Sequence, residues 1–426
     1  MRMLDLKFIR ENRELVEERL AAKRAVFDLG ALLAIDQSWR KTLHEIEELR
    51  GEQNAANEVI SQLKVKKESA DSKIAEMKEL SRRKADLEPR LKELQTELYV
   101  LLSGIPNLPH ESVPVGDKTA SKVIRSWGKA PKFSFKPKTH VELAEELDII
   151  DFKRAAKLSG SNFILFKKEG ARLERALINF MLDIQTGKHG YTEMSPPILV
   201  NTAAMMGTGQ LPKMAEDMYK LSGDDLYLIP TAEVPVTNIH RDEVLEEEDL
   251  PLYYTAYTPC FRREAGSYGK ETKGLIRVHQ FDKVEMVKFV HPDYSYDELE
   301  SLVLNAEYIF QLLKLPYRVL LLASGDLSFA AAKCYDIEVY AGGVGQWLEC
   351  SSCSNFEDFQ ARRANIKFKD KTTKKPAFVH TLNGSGVALA RTVVAILENN
   401  QNEKGHVLIP KVLWPYTGGM KEIKKI

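Results

Sequence analysis

Two runs of apolar residues in steps of three and four dominate the first hundred positions and leave few folds open. Leu32, Ile35, Trp39, Thr42, Ile46, Leu49, Gln53, Ala56, Ile60 and Leu63 form the first run. Ile74, Met77, Leu80, Lys84, Leu87, Leu91, Leu94, Leu98 and Leu101 form the second. A repeat near 3.5 residues puts one apolar stripe on each of two long helices. The polar stretch KVKKESADSK at 64–73 separates them, so the simplest fold is an antiparallel two-helix coiled coil over about 30–101. Its first helix, about 34 residues at roughly 1.5 Å each, reaches about 50 Å. Pro89 lies inside the second stripe and predicts a kink or local break. The stripes fit a dimerising coiled coil as well as a protruding arm. Lys64, Lys66 and Lys67 at the tip, with Arg82, Arg83 and Lys84 on the return helix, suit a phosphate backbone, although charge runs are usually solvated surface.

The pattern stops at SGIPNLPHESVPVGDK, 103–118, whose prolines and glycines exclude continued helix. The expected division is an N-terminal domain, 1–110, and a larger domain, 111–426. In the second, strand-type runs such as FILF (163–166), LYLI (226–229) and YRVLLL (317–322) alternate with helical stretches at 171–185 and 296–313. Strands crowd between 252 and 290, which favours an α/β domain of the α+β type, with a mainly antiparallel sheet flanked by helices. Neither G-x-x-x-x-G-K-[ST] nor a G-x-G-x-x-G after a strand occurs, so an ATP site, if present, is of neither type.

Composition sets the compartment. Lys plus Arg (61) equals Asp plus Glu (61), so a nucleic-acid partner must be met by a local patch rather than a global field. No apolar run reaches the roughly 18 residues that span a bilayer. The opening MRMLDLKFIRENREL carries both charge signs and no signal-peptide core. Four cysteines in 426 residues point to a reducing compartment, and the expectation is cytoplasmic.

Four clusters place polar residues where a sheet wants apolar ones. PTAEVP (230–235) sets Thr231 and Glu233 between prolines. CFRREAGSYGKETKGLIRVHQFDKVEM (260–286) reads as two strands joined by a Gly-rich loop. Alternation at period two would pair Arg262 with Glu264 on the first strand and Phe281 with Glu285 on the second. WLECSSCSNFEDFQARR (347–363) supplies Glu349 and Ser352. TLNGSGVALARTVVAILEN (381–399) reads as a loop entering a helix, with Ser385 in the loop and Arg391 one to two turns in. Each is bland alone, since an R-x-E on a strand is usually a surface ion pair.

Their order along the chain resembles that of the class II aminoacyl-tRNA synthetases, and within them the bacterial-type seryl-tRNA synthetase family. FRREAGSYGKETKGLIRVHQFDKVE is similar to motif 2 of that class, GSGVALAR to motif 3, and GYTEMSPPILV, with Pro197, to the dimer-forming motif 1. MMGTGQLPKM (205–214), PTAE, LECSSCSNFEDFQARR, the opening MLDLKFIREN and the two-helix arm match the serine-specific members. The resemblance spans essentially the whole chain. It implies serine contacts at Thr231, Ala232, Glu233, Glu285 and Ser385. It implies ATP contacts at Arg262, Arg263, Glu264, Val278, Phe281, Glu349, Cys350, Ser351, Ser352 and Arg391. Within these, Arg262 meets the α-phosphate, Glu264 the adenine, Phe281 stacks on it, and Arg391 meets the γ-phosphate. Glu349 and Ser352 hold Mg²⁺.

The implied activity is serine–tRNA ligation: serine and ATP give seryl-adenylate and pyrophosphate, and serine then passes to the 3′ end of tRNA(Ser), with tRNA(Sec) as a further acceptor. The implied assembly is a homodimer with no membrane partner. Two arginines and Mg²⁺ would offset the repulsion between carboxylate and phosphate. Cys350 and Cys353 form C-S-S-C, but Cys260 and Cys334 stand alone, so zinc is not expected. A catalytically inactive relative that binds RNA is the alternative; it should lack a motif arginine or glutamate, and Arg262, Glu264, Glu285, Glu349 and Arg391 are all present.

Overall fold

The computed structural model describes residues 4–265 and 274–425. The chain divides into two compact units: residues up to Ala21 with Ala25–Ile105, and Ala22–Arg24 with the residues from Pro106 onward.

In the smaller unit α1 (Leu6–Glu11) precedes two long helices, α2 (Leu29–Val65) and α3 (Asp71–Gly104). Asp28 caps α2 by accepting from the Ala31 amide at 2.8 Å. Every position of both apolar stripes is buried or half-buried. Gln53 Nε2 donates to Ser81 Oγ at 2.8 Å, which sets residues on opposite sides of the turn against each other, as an antiparallel hairpin requires. The expected break at Pro89 does not occur, since α3 runs through it uninterrupted. A half-exposed turn can leave one carbonyl to water at little cost. One feature escaped the stripe reading. Asp36 is buried and held by Arg10 Nη1, at 3.0 Å to each oxygen, and by Arg40 Nε at 3.0 Å. Charge-assisted bonds of this kind tie α1 to the base of α2.

In the larger unit, among the described residues, eight strands form one sheet: β1 (Lys122–Trp127), β2 (Thr192–Glu193), β3 (Leu252–Phe261), β4 (Gln280–Val290), β5 (Tyr317–Leu321), β6 (Lys333–Ala341), β7 (Gln346–Asn355) and β8 (His380–Ala388). Their order is β1-β5-β6-β7-β8-β4-β3-β2. All pairings are antiparallel except β2 with β3. Helices α4 (His140–Glu146), α5 (Lys168–His189), α6 (Ser295–Leu313) and α7 (Leu389–Asn399) accompany it, and all four contribute to its main apolar cluster, with Leu143, Phe180, Phe310 and Val393 among the buried residues.

Two expected elements differ. FILF is not a strand; Phe166 makes an isolated bridge with Ile150. TLNGSGVA is a strand rather than a loop, because its glycines permit close approach instead of a turn. A Cβ at Gly384 would meet Cys353 Sγ at 2.9 Å, and one at Gly386 would meet Val284 O at 3.2 Å. Ser385 therefore sits on β8, opposite Glu285 of β4, and Arg391 falls in the first turn of α7. Most of the Gly-rich loop read between β3 and β4, 266–273, lies outside the described residues.

Candidate active site

The polar clusters converge on a cleft of about 610 Å³ in the larger unit. Its floor is the PTAE segment, where Thr231 leads into a short helix, Glu233–Thr237. Thr231 Oγ1 donates to Glu285 Oε2 at 2.7 Å. It accepts from Lys283 Nζ at 2.8 Å and from the Glu233 amide at 3.2 Å. Lys283 also pairs with Glu285. Glu233 accepts from Gln360 Nε2 at 2.6 Å and from Asn383 Nδ2 at 3.0 Å. Burial, and after it the charge of Glu285, pushes the Glu233 carboxyl up to about 7. Lys283 thus pairs with Glu285, whereas Glu233 is met only by side-chain amides, and a protonated amine in the adjoining space would supply the cation it lacks.

β3 ends at Phe261, so Arg262 and Glu264 leave the strand instead of alternating on it, and the expected period-two pairing of these two fails. Glu264 adopts φ of 51°, and its carboxylate accepts from Arg277 Nη1 at 2.9 Å. Arg262 Nε donates to Pro230 O at 3.2 Å. Its guanidinium lies 5.2 Å from the centre of the Phe281 ring. On β4 the alternation holds: Phe281, Lys283 and Glu285 share a face.

Also in the cleft lining, Arg391 Nε donates to Ile276 O at 3.2 Å and Nη1 to Glu349 O at 2.6 Å. The Glu349 carboxylate lies 3.7 Å from Nη1. Asp336 of β6 faces Ser352 of β7 across the ladder, and burial together with Glu349 pushes its carboxyl up to about 8. The Glu349 carboxylate and Ser352 hydroxyl are hard oxygen donors in the cleft wall, the type Mg²⁺ takes. Among the described residues no three His, Cys, Asp or Glu side chains form a self-sufficient metal cage. An ion bound at Glu349 and Ser352 would complete its shell from water and substrate oxygens.

All but three of the residues marked for serine or ATP line the cleft. Ala232 packs its methyl into an apolar cluster with Val236 and Val287. Arg263 turns aside, its amide donating to Asp217 O at 2.9 Å. Glu285 is wholly buried, one layer behind the wall, with Thr231, Lys283 and Asn383 taking its oxygens. Lys283, Asn383 and Gln360 were not marked from the sequence. Lys283 was legible as the middle of the Phe281–Glu285 alternation; Asn383 and Gln360 carried no local signal. Cys350 and Cys353 are free buried thiols, each pushed up to about 12 by burial. Lys64, Lys66 and Lys67 are exposed at the turn of the smaller unit, and Pro197 is exposed in the segment after β2. Among the described residues no helix is long and apolar enough to cross a membrane.

The family model "Seryl-tRNA synthetase N-terminal domain" matches residues 3–109, and "tRNA synthetase class II core domain (G, H, P, S and T)" matches 218–400. The chain is 55% identical over 424 residues to a serine–tRNA ligase of Trichlorobacter lovleyi, covering 99% of this chain and 100% of the relative. It is 56% identical over 422 residues to that of Geobacter sulfurreducens, with the same coverage. The solved structure of seryl-tRNA synthetase from Pyrococcus horikoshii complexed with ATP superposes with a TM-score of 0.92 at 43% identity, covering all of both chains.

Proposed function

This chain belongs to the seryl-tRNA synthetase family, and we propose that its cleft activates serine with ATP and passes it to tRNA as a serine–tRNA ligase. The observation that carries the reading is that Thr231 and Glu233 line one cleft together with Arg262 and Arg391. An ammonium fits the first pair and phosphates fit the second.

In this reading Thr231, Glu233 and Ser385 receive the serine, and Glu285 acts from directly behind Thr231. Ala232 contributes through its backbone. Phe281 and Val278 take the adenine faces, and Glu264 takes its edge. Arg262 holds the α-phosphate and Arg391 the γ-phosphate, while the exposed Arg263 stays outside the cleft lining. The serine carboxylate attacks the α-phosphorus in line, the bond to the β-phosphate oxygen breaks, and seryl-adenylate and pyrophosphate result. Both reactants are anions, so the two arginines must offset repulsion before attack and charge on the leaving group after it. The carboxylate needs no proton removed, so no protein base is assigned. Mg²⁺, held by Glu349 and Ser352 with Cys350 and Ser351 shaping that strand, would supply further charge neutralisation on the phosphates. In the second step a hydroxyl of the tRNA 3′-terminal ribose attacks the seryl carbonyl and AMP leaves. A pocket whose polar groups await a hydroxyl penalises alanine through unpaired donors and acceptors, whereas threonine must be excluded by size.

The helical arm is read as the element that recognises tRNA(Ser) by shape and backbone, with Lys64, Lys66 and Lys67 meeting phosphate. A homodimer through the segment around Pro197, charging of tRNA(Sec), and a cytoplasmic location complete the proposal. Retention of Arg262, Glu264, Glu285, Glu349 and Arg391 speaks against an inactive relative. The test is ATP–pyrophosphate exchange with each of the common amino acids. Exchange with serine well above alanine and threonine is expected; none, or equal exchange with another amino acid, would overturn the reading.

A further inference from the structure

One wall of the cleft is the short segment Leu275, Ile276, Arg277 and Val278, and two hydrogen bonds set where it lies. Ile276 O accepts from Arg391 Nε at 3.2 Å. The Leu275 amide donates to His140 Nε2, also at 3.2 Å. His140 opens α4 and is 2% exposed. Its other ring nitrogen, Nδ1, lies 2.8 Å from Glu398 Oε1. Glu398 is fully buried near the end of α7, and the amides of His140, Gly343 and Val344 donate to it at 2.8, 2.8 and 2.9 Å. That carboxylate is fixed by four donors and holds the imidazole in one orientation.

The proton positions follow from the partners. A backbone amide can only donate, so Nε2 must accept from Leu275, and Nδ1 must carry the hydrogen given to Glu398. The contact is close as well as directional. A Cβ at Gly274, whose φ is +75°, would meet His140 Nε2 at 2.2 Å and Val141 Cγ2 at 2.7 Å. The chain therefore lies directly on the imidazole where it enters the cleft wall.

We propose that His140, held as its Nδ1–H tautomer by Glu398, is a positioning residue for ATP. It fixes the Leu275 amide, and with it the Leu275–Val278 wall and the Ile276 carbonyl that orients the Arg391 guanidinium. Arg391 and Glu398 stand two turns apart on α7, so the imidazole closes a ring of contacts from helix to wall and back to the helix. His140 itself touches no substrate. The inference rests on the reading of Arg391 as a phosphate ligand.

Two substitutions separate this role from simple core packing. In His140→Gln the side-chain oxygen extends to the place of Nε2 and accepts from Leu275. In His140→Asn the amide occupies the place of Nδ1, donates to Glu398, and leaves Leu275 unmet. With one wall hydrogen bond lost, His140→Asn should raise the KM for ATP about tenfold in serine-dependent pyrophosphate exchange. The KM for serine should stay within about twofold, and His140→Gln should stay within about threefold of the native enzyme for both. Equal behaviour of the two variants, or KM values for ATP and serine rising together, overturns the proposal. If the variants do not fold, ¹⁵N NMR of the native imidazole decides: a neutral Nδ1–H ring is required, and an Nε2–H ring refutes it. Native enzyme that shows no serine-dependent exchange would instead sink the functional reading, while the tautomer measurement still judges the role of His140.

Discussion

Thr231→Val keeps the shape of a buried side chain and removes one oxygen. Thr231 is 4% exposed, and that oxygen joins three groups: the Glu285 carboxylate, the Lys283 ammonium and the Glu233 amide. A hydrogen bond to a buried charge contributes about 1.5–3 kcal/mol, and an orphaned buried amide costs about 1 kcal/mol or more. Lys283 remains paired with Glu285, so the carboxylate is not left alone, and the loss should fall below the plain sum of these contributions, at about 3 kcal/mol. The fall in kcat/KM for serine should be about a hundredfold, because in the proposed site the same oxygen lies in the serine floor and holds Glu285 in place. Thr231→Ser retains the oxygen and loses a methyl, so it should cost about 1 kcal/mol of stability and leave activity within about threefold. Urea unfolding followed by tryptophan fluorescence, with Trp127, Trp347 and Trp414 in the larger unit, reads the first quantity. Pyrophosphate exchange at varied serine reads the second. A valine variant within about 0.5 kcal/mol of native and within threefold in kcat/KM would refute the argument, as would a serine variant no better than valine.

Arg262→Ala should reduce serine-dependent exchange at least about a hundredfold while circular dichroism shows an intact fold; near-native exchange would contradict its place at the α-phosphate. Burial and the neighbouring Asp282 push Glu174 up to about 8, so the folded state keeps a proton that the unfolded chain releases from about pH 4.5 upward. The stability it contributes is full below that pH and lost as pH rises toward 8. Glu174→Gln, which cannot ionise, should therefore raise Tm relative to native by several degrees at pH 8.5 and little at pH 5; an equal difference at both pH values would contradict this. Replacing residues 33–99 with a short linker should spare pyrophosphate exchange and lower tRNA charging at least about a hundredfold, with a milder loss on neutralising Lys64, Lys66 and Lys67. Full charging by the shortened protein would remove the arm from tRNA recognition.

How much of the fold the sequence disclosed depended on how local its signal was. The arm was legible nearly residue by residue, because each stripe position has its partners three or four residues away and on one facing helix. Asp36 was not, since a carboxylate beside the stripe is paired by Arg10 from a separate helix, and nothing local to residue 36 announces that. The antiparallel sheet was legible from the crowding of strands at 252–290. TLNGSGVA was misread for a physical reason. Glycine marks a turn when it supplies unusual torsion angles and marks tight packing when it supplies absent volume. The two uses look alike in one dimension, and at Gly384 and Gly386 the second applies.

The same division runs through the site. Residues whose polar ends face the cleft fell in motifs and were named: Thr231, Glu233, Arg262, Glu349 and Arg391. Apart from Lys283, two positions from Glu285, those that fix the ends of others were missed because their spacing to the residues they serve is large. Asn383 lies 150 residues from Glu233, Gln360 lies 127 away, and His140 lies 135 from Leu275. Glu285 stands between the two groups. Resemblance places it among the serine contacts, yet its oxygens are engaged by Thr231, Lys283 and Asn383. A charge at that depth still acts on an ammonium in the cleft, because low-dielectric surroundings screen it little. It also determines which way the Thr231 hydrogen points. With Glu285 taking that hydrogen and Lys283 offering its own, the hydroxyl is polarised along one line. In the proposed site, what the serine ammonium meets at the floor is thus the combined field of Thr231, Lys283, Glu233 and Glu285, so substitution of any one of them should change how the other three act on it.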